Sequence, residues 1–349
     1  MDQIKPLNKI AVLKYAAFLI INLLLWQSTR ASVISYTKST DGVIFKLDKG
    51  LMNIRVCKAD IIEVKYTIFD TFPEKNSLVI DNSWKQGVQF AVSGNKEQIT
   101  ITTSKLVIRV NKASNAITYL NKKGEVITAE SAENKSMDKA TIAGIDTYNC
   151  NTGFNSPADE ALFGLGCHPE DTLSINYKGR NQQMLIKYMT GAIPVMLSTK
   201  GYGLLWDNYS ASNFYGAEAG NTQYKYVSES GKMVDYYFFY GPGFDHIIDL
   251  YRTATGKAPM YPKWSFGLFQ SQDKYTTQDE ILSVKDGYRK NHIPVDAVVQ
   301  DWYWWSPLPI GSHIMNHERY PDPKAMIDEL HKANLHAMIS IWPVFGSGT

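Results

Sequence analysis

The spacing of apolar residues changes once along this chain, and the change divides it. From Val43 to about Tyr240 they recur at every second position, as in LMNIRVCKADIIEVKYTI and EQITITTSKLVIRVNKASNAITYLNKKGEVIT. Period two puts Ile99 and Ile101 on one face of a strand, and Leu106, Ile108 and Val110 on one face of the next. Turn formers in SGNK and NKKG separate the runs at hairpin intervals, and no segment there has a period near 3.6. The pattern predicts an antiparallel β-sandwich over residues 32–243.

Past Pro242 the character differs. FDHIIDLYRTATG is a helix with Ile247, Leu250 and Tyr251 on one face and Gly256 as its stop. SFGLFQS reads as a strand. In TTQDEILSVKDGYRKN, Thr277 and Glu280 stand at capping-box spacing, with Ile281, Val284, Lys285 and Tyr288 down one side. VDAVVQD is a second strand, apolar apart from Asp296. DPKAMIDELHKAN opens with Asp322 as N-cap and Pro323 at the first helical position, and HAMISIWP is a third strand. Strands alternating with helices in this order form parallel βαβ units, here over residues 244–349. Three strands and two crossover helices do not close a barrel, so the chain reads as the front of something larger.

The N-terminus predicts export. Lys5, Lys9 and Lys14 precede AAFLIINLLLW, which falls short of the roughly 20 residues that span a bilayer. It has the length of a signal-peptide core, and STRAS offers cleavage at Ala31. Residues 1–31 are therefore read as a signal peptide and the product as periplasmic or extracellular without a stable membrane anchor; an uncleaved anchor is the alternative. A net charge of +2 with no basic stripe gives no reason to expect nucleic acid. Cys57, Cys150 and Cys167 allow at most one disulfide and have no zinc spacing. His313 and His317 lie between Gly311 and Pro321, which argue against a helix that would align them, so no metal or cofactor is expected. Oligomeric state leaves no trace in the sequence.

The stretch VVQDWYWW ends an apolar run on Asp301 and follows it with four aromatics. Contiguous rings cannot share one face, so some of them face a cavity, a loop or solvent. In α/β architectures ligands bind at the C-terminal ends of the strands. There the chain places Gln270 and Ser271, then Asp301 and Trp302, then Trp342. A carboxylate can take bidentate hydrogen bonds from vicinal hydroxyls, and an indole can cover the apolar face of a sugar ring. The plainer reading is that Asp301 caps a loop and the tryptophans pack strand against helix. The residues alone leave both open.

Longer blocks add to this. ALFGLGCHPEDTLSINYKGR, IPVMLSTKGYGLLWDNYS, DYYFFYGPGFDHIIDLYRTATGKAPMYPKWSFGLFQSQDKY, IPVDAVVQDWYWW and YPDPKAMIDELHKANLHAMISIWP resemble consecutive blocks of glycoside hydrolase family 31. They stand in the family's order and spacing, and GLFQSQDKY with QDWYWW most resembles bacterial α-xylosidases and their α-glucosidase relatives. The resemblance implies a galactose-mutarotase-like sandwich followed by a (β/α)8 TIM barrel, of which the first three β/α units are present. It also implies a retaining α-glycosidase acting on an oligosaccharide through an aspartate nucleophile and an aspartate acid/base. The family's substrate-anchoring aspartate falls on Asp301 and its indole after the third strand on Trp342. Trp302 takes a wall position, and Tyr275 matches the aromatic after the first strand. The loop around residues 176–182 corresponds to one directed toward the aglycone side.

Two departures qualify the resemblance. The extra module that some relatives carry after WDNYS is not found before DYYFFYGPG, and the family's nucleophile and acid/base follow later strands, beyond Thr349. Retaining hydrolysis needs two carboxyls about 5–5.5 Å apart, and nothing in the pattern sets Glu318 or Asp273 that way beside Asp301. The chain alone is therefore expected to be inactive. The alternatives are a non-catalytic carbohydrate-binding protein and a degenerate product that never folds.

Overall fold

The computed structural model describes residues 31–342, 344 and 346, apart from 75, 85–86, 132–134, 169–173 and 187–189. The expected signal peptide lies outside the described residues, save Ala31. Two compact units divide between Lys257 and Ala258.

In the first unit the period-two runs become strands. One eight-stranded antiparallel sheet runs in the order Val33–Lys38, Gly42–Leu47, Leu51–Lys58, Ile61–Thr67, Val234–Tyr240, Tyr202–Trp206, Gly191–Ser198, Leu162–Cys167. Two five-stranded antiparallel sheets complete the sandwich and are joined by a bridge between Glu130 and Phe154. All three sheets contribute to one core, with Phe45 and Phe238 from the first and Ile99, Tyr119, Phe154 and Phe214 from the others. Ile99, Ile101, Leu106, Ile108 and Val110 are fully buried, as their alternation requires.

This core is not purely apolar. Lys135 and Glu130 form an ion pair with both side chains wholly buried. Glu130 also accepts from the Ile117 N–H at 2.9 Å and the Tyr236 hydroxyl at 2.8 Å, and Tyr236 meets the Tyr119 hydroxyl at 3.0 Å. Burial pushes the Lys135 ammonium down while Glu130 opposes the shift. A second buried carboxylate, Glu160, accepts from Ser198 and from Tyr202, the latter at 2.7 Å. Buried charges persist when paired and hydrogen-bonded. Glu130 meets both conditions, whereas Glu160 takes its two hydroxyl hydrogen bonds on Oε1 and, among the described residues, has no cation partner.

The helix Phe244–Thr255 belongs to this unit. Its buried Ile247, Leu250 and Ala254 pack on Cys57, Ile61, Leu205, Tyr237 and Phe239 of the eight-stranded sheet. Gly256 ends it in the left-handed region, φ +86°. From the sequence this helix falls with the parallel units that follow, over residues 244–349, whereas it packs on the sandwich. Helical period reveals which face is apolar but not which sheet receives it.

In the second unit a parallel sheet runs in the order Phe269–Gln270, Ala297–Gln300, His336–Ile339. Helices Gln278–Lys290 and Pro323–Lys332 connect the strands. Both expected caps form: Thr277 Oγ1 accepts from the Glu280 N–H at 3.2 Å, and Asp322 Oδ1 from the Ala325 N–H at 2.9 Å. Ile281, Val298, Met326, Leu330 and Leu335 form the core with Trp304, Trp305 and Tyr320. The first strand is shorter than SFGLFQS predicts. Ser265 and Phe266 lie in a 3-10 turn, Lys263–Phe266, that closes at Gly267. The Leu268 N–H then donates to Asp296 Oδ2 at 3.1 Å, and the Asp296 N–H returns a bond to the Leu268 carbonyl at 2.9 Å. Regular pairing begins only after that exchange.

Candidate functional site

Because the three strands of the second unit are parallel, their C-terminal ends lie along one edge. Gln270 ends the first strand, Asp301 follows the second, and Trp342 lies shortly after the third. The loops between these ends are stitched by amides. Gln300 is buried, and its Nε2 donates to the Tyr275 carbonyl at 3.2 Å, with longer contacts of 3.4 Å to the carbonyls of Asp301 and Trp302. The Tyr320 hydroxyl donates to the same Tyr275 carbonyl. Gln270 bridges the hydroxyls of Tyr275, at 3.2 Å, and Tyr288.

Asp301 is half-buried. Its Oδ1 accepts from the backbone N–H of Trp302 at 2.8 Å, which sets the rotation of the carboxylate. Among the described residues, nothing is hydrogen-bonded to Oδ2. A bidentate approach by vicinal hydroxyls would therefore share Oδ1 with the backbone.

The four consecutive aromatics part company. Trp304 and Trp305 are each 3% exposed and belong to the core, and Trp304 Nε1 donates to the Ser340 carbonyl at 2.9 Å. Trp302 instead meets Trp342 from beyond the third strand, with centroids 6.2 Å apart and planes inclined by 28°. Trp305 stands edge-on to the same indole at 5.7 Å and 65°. Trp342 keeps 38% of its surface exposed. Tyr303 adopts φ +84°, a left-handed conformation that costs a β-substituted residue energy and lets adjacent rings diverge. The packing reading holds for Trp304 and Trp305, while Trp302 and Trp342 pair at the strand ends with part of their surface exposed.

Asp301, Trp302 and Trp342 are brought together. Tyr275 is not on their exposed side: it is 2% exposed and packs in the core of the unit, supporting the loops through its carbonyl and hydroxyl. Asp273, in the sequence no more than a spare acid, accepts on Oδ1 from Trp302 Nε1 at 2.9 Å. Lys274 places its ammonium 5.0 Å from the ring centroids of both Trp302 and Tyr303, and the Arg319 guanidinium lies 4.2 Å from that of Tyr303. Sequence separation hid these contacts. The SQDK turn after the first strand was the only available signal. In the first unit, Asn176 uses its side-chain oxygen on the N–H groups of Leu162, at 2.9 Å, and Lys178, at 3.0 Å, a local brace. Gln182 meets the His168 ring at 3.2 Å.

A half-buried carboxylate beside paired, partly exposed indoles offers a hydrogen-bond acceptor next to an apolar face. That combination suits a ring bearing hydroxyls on its rim.

Known proteins share this arrangement of domains. Residues 258–348 match the family model described as the glycosyl hydrolases family 31 TIM-barrel domain, and residues 51–214 match the glycosyl hydrolase 31 N-terminal galactose mutarotase-like domain. An α-xylosidase of Saccharolobus solfataricus is 32% identical over 310 residues, covering 86% of this chain and 41% of the relative. An isomaltosyltransferase of Sporosarcina globispora is 27% identical over 356 residues, covering 91% and 32%. A family 31 α-xylosidase from a soil metagenome, solved with xylose, superposes with a TM-score of 0.78 at 23% identity over 90% of this chain and 48% of that one. The chain spans less than half the length of these relatives.

Proposed function

Since the chain belongs to glycosyl hydrolase family 31, with that family's N-terminal sandwich and part of its TIM barrel, we propose that it serves the hydrolysis of α-xylosides or α-glucosides with retention. In this reading Asp301 anchors the terminal sugar, and Trp302 and Trp342 wall its apolar face. The nucleophile and acid/base are supplied by residues outside this chain, so the chain alone binds without turning over. One observation supports the assignment above others: the half-buried Asp301 carboxylate, oriented through Oδ1 by the Trp302 N–H, beside the Trp302–Trp342 pair. The names of the relatives, α-xylosidase and isomaltosyltransferase among them, support an α-linked substrate.

The test is to join this chain to the C-terminal half of a family 31 enzyme and assay aryl α-xylosides and α-glucosides. Charge-assisted hydrogen bonds are worth about 1.5–3 kcal/mol each. Losing two of them in Asp301→Ala lowers turnover by about two or more powers of ten. Asp301→Asn keeps an acceptor for the Trp302 N–H and separates sugar binding from loop support. A fusion bearing Asp301→Ala that works as well as its parent removes Asp301 from the site. Hydrolysis by the purified chain alone would sink the division of labour.

The reading also has the protein act outside the cytoplasm, on the strength of the lysine-rich start and apolar run. Protein recovered from its native compartment should begin near Ser32. An intact Met1 on a soluble cytoplasmic product would contradict export.

A further inference from the structure

Trp302 is a junction. Its backbone N–H holds Asp301 Oδ1 at 2.8 Å, while its indole N–H is held by Asp273 Oδ1 at 2.9 Å. Two aspartates from the loops after the first and second strands therefore grip opposite ends of one residue. Lys274 adds a third hold, with its ammonium 5.0 Å from the indole centroid and 3.8 Å from the Asp273 carboxylate. An indole beyond a strand end has several staggered rotamers open to it. Here a directional hydrogen bond fixes the ring plane, and a cation over the ring disfavours rotation away from it.

We propose that Asp273 and Lys274 are positioning residues: they set the indole of Trp302 and, through that residue's backbone, the orientation of the Asp301 carboxylate toward a bound sugar. The proposal rests on the reading of Asp301 as the sugar anchor and deepens it. Neither residue need touch the sugar. Asp273 has 73% of its side chain exposed and Lys274 39%, so neither is needed to fill a core. A solvent-exposed Asp–Lys pair at this distance is worth little by itself. What gives the pair leverage is that both groups converge on the indole.

The experiment uses the whole chain labelled with 15N at tryptophan, whose eight indole N–H groups give separable signals. Substitution of Trp302 assigns its signal. Methyl α-xyloside and methyl α-glucoside are then titrated into the wild type, Asp273→Ala, Asp273→Asn and Lys274→Met. In the free protein, Asp273→Ala should move the Trp302 indole signal and leave the Trp304 signal in place. Loss of one such hold should weaken sugar affinity about three- to tenfold, with Asp273→Asn, which keeps an acceptor oxygen, recovering part of it. An unmoved Trp302 signal, or unchanged affinity in Asp273→Ala where the wild type binds sugar, overturns the clamp while leaving the anchor reading intact. A wild type that gives no sugar-dependent shift overturns both.

Discussion

The carboxylate of Asp296 occupies the space that a side chain on Gly267 would need: a Cβ built there lies 1.9 Å from Asp296 Oδ2. The pair governs how the chain enters the parallel sheet, because the same oxygen accepts from the Leu268 N–H. Gly267→Ala should destabilise the second unit by about 1–3 kcal/mol, the usual cost of overpacking. In an Asp296→Ala background it should cost markedly less, giving a coupling of about 1 kcal/mol or more in a double-mutant cycle. Additive effects in denaturant melts would contradict the contact.

Glu130 and Lys135 make a second testable pair. Removing one partner strands a buried charge, so Glu130→Gln should cost about 3–5 kcal/mol. Replacing both, as Glu130→Gln with Lys135→Met, should cost less than the sum of the single changes. The two singles and the double are compared by urea unfolding of the sandwich unit's transition. A double as costly as the sum would mean that the two groups do not interact.

The aromatic run yields a contrast within one stretch of chain. Trp304→Ala empties a core position and should cost about 3–5 kcal/mol. Trp342→Ala removes a partly exposed ring and should change stability by less than about 1 kcal/mol while weakening sugar binding. Thermal melts and sugar titrations on the two variants give both readouts. The assignment of rings fails if Trp342→Ala binds sugar as the wild type does.

Glu280 supplies a pH signature. Its carboxyl is held below the ordinary value of 4.5, first by the backbone N–H of Thr276 at 2.6 Å and then by that residue's hydroxyl at 2.9 Å. A depressed folded pKa means that its stabilisation is present above 4.5 and fades as pH falls through the folded value. A 13C titration of the Glu280 carboxyl should give a midpoint below 4.5. Thr276→Val, which keeps the N–H, should recover only the hydroxyl's part of the shift. A wild-type midpoint at or above 4.5 would refute the arrangement.

Much of this organisation is legible in the sequence because it is local. Alternation at Ile99 and Ile101, the caps at Thr277 and Asp322, and the order of parallel strands all depend on residues a few positions apart. What escaped depends on distant neighbours. Glu130 and Lys135 look in sequence like surface charges near a strand end, because nothing local marks the tyrosines that surround them. The short first strand escaped because Asp296, on the far side of a helix, takes up the Leu268 N–H. Asp301, Trp302 and Trp342 could be named from their places at strand ends. Asp273 and Lys274 could not, because only the folded loops bring them to the indole.

The eight-stranded sheet carries a consequence for how the protein is made. Its fourth strand, Ile61–Thr67, pairs with Val234–Tyr240, and the hydroxyl of Tyr237 donates to Glu63 across a separation of 174 residues. The early hairpins can form as they leave the ribosome, but their sheet gains its central neighbour only once residue 240 has emerged. Loop-closure entropy must be met before that pairing rewards it, so folding of this unit should be slow. Until then, strand Ile61–Thr67 presents an unpaired edge, the state in which a nascent chain most needs a chaperone's cover.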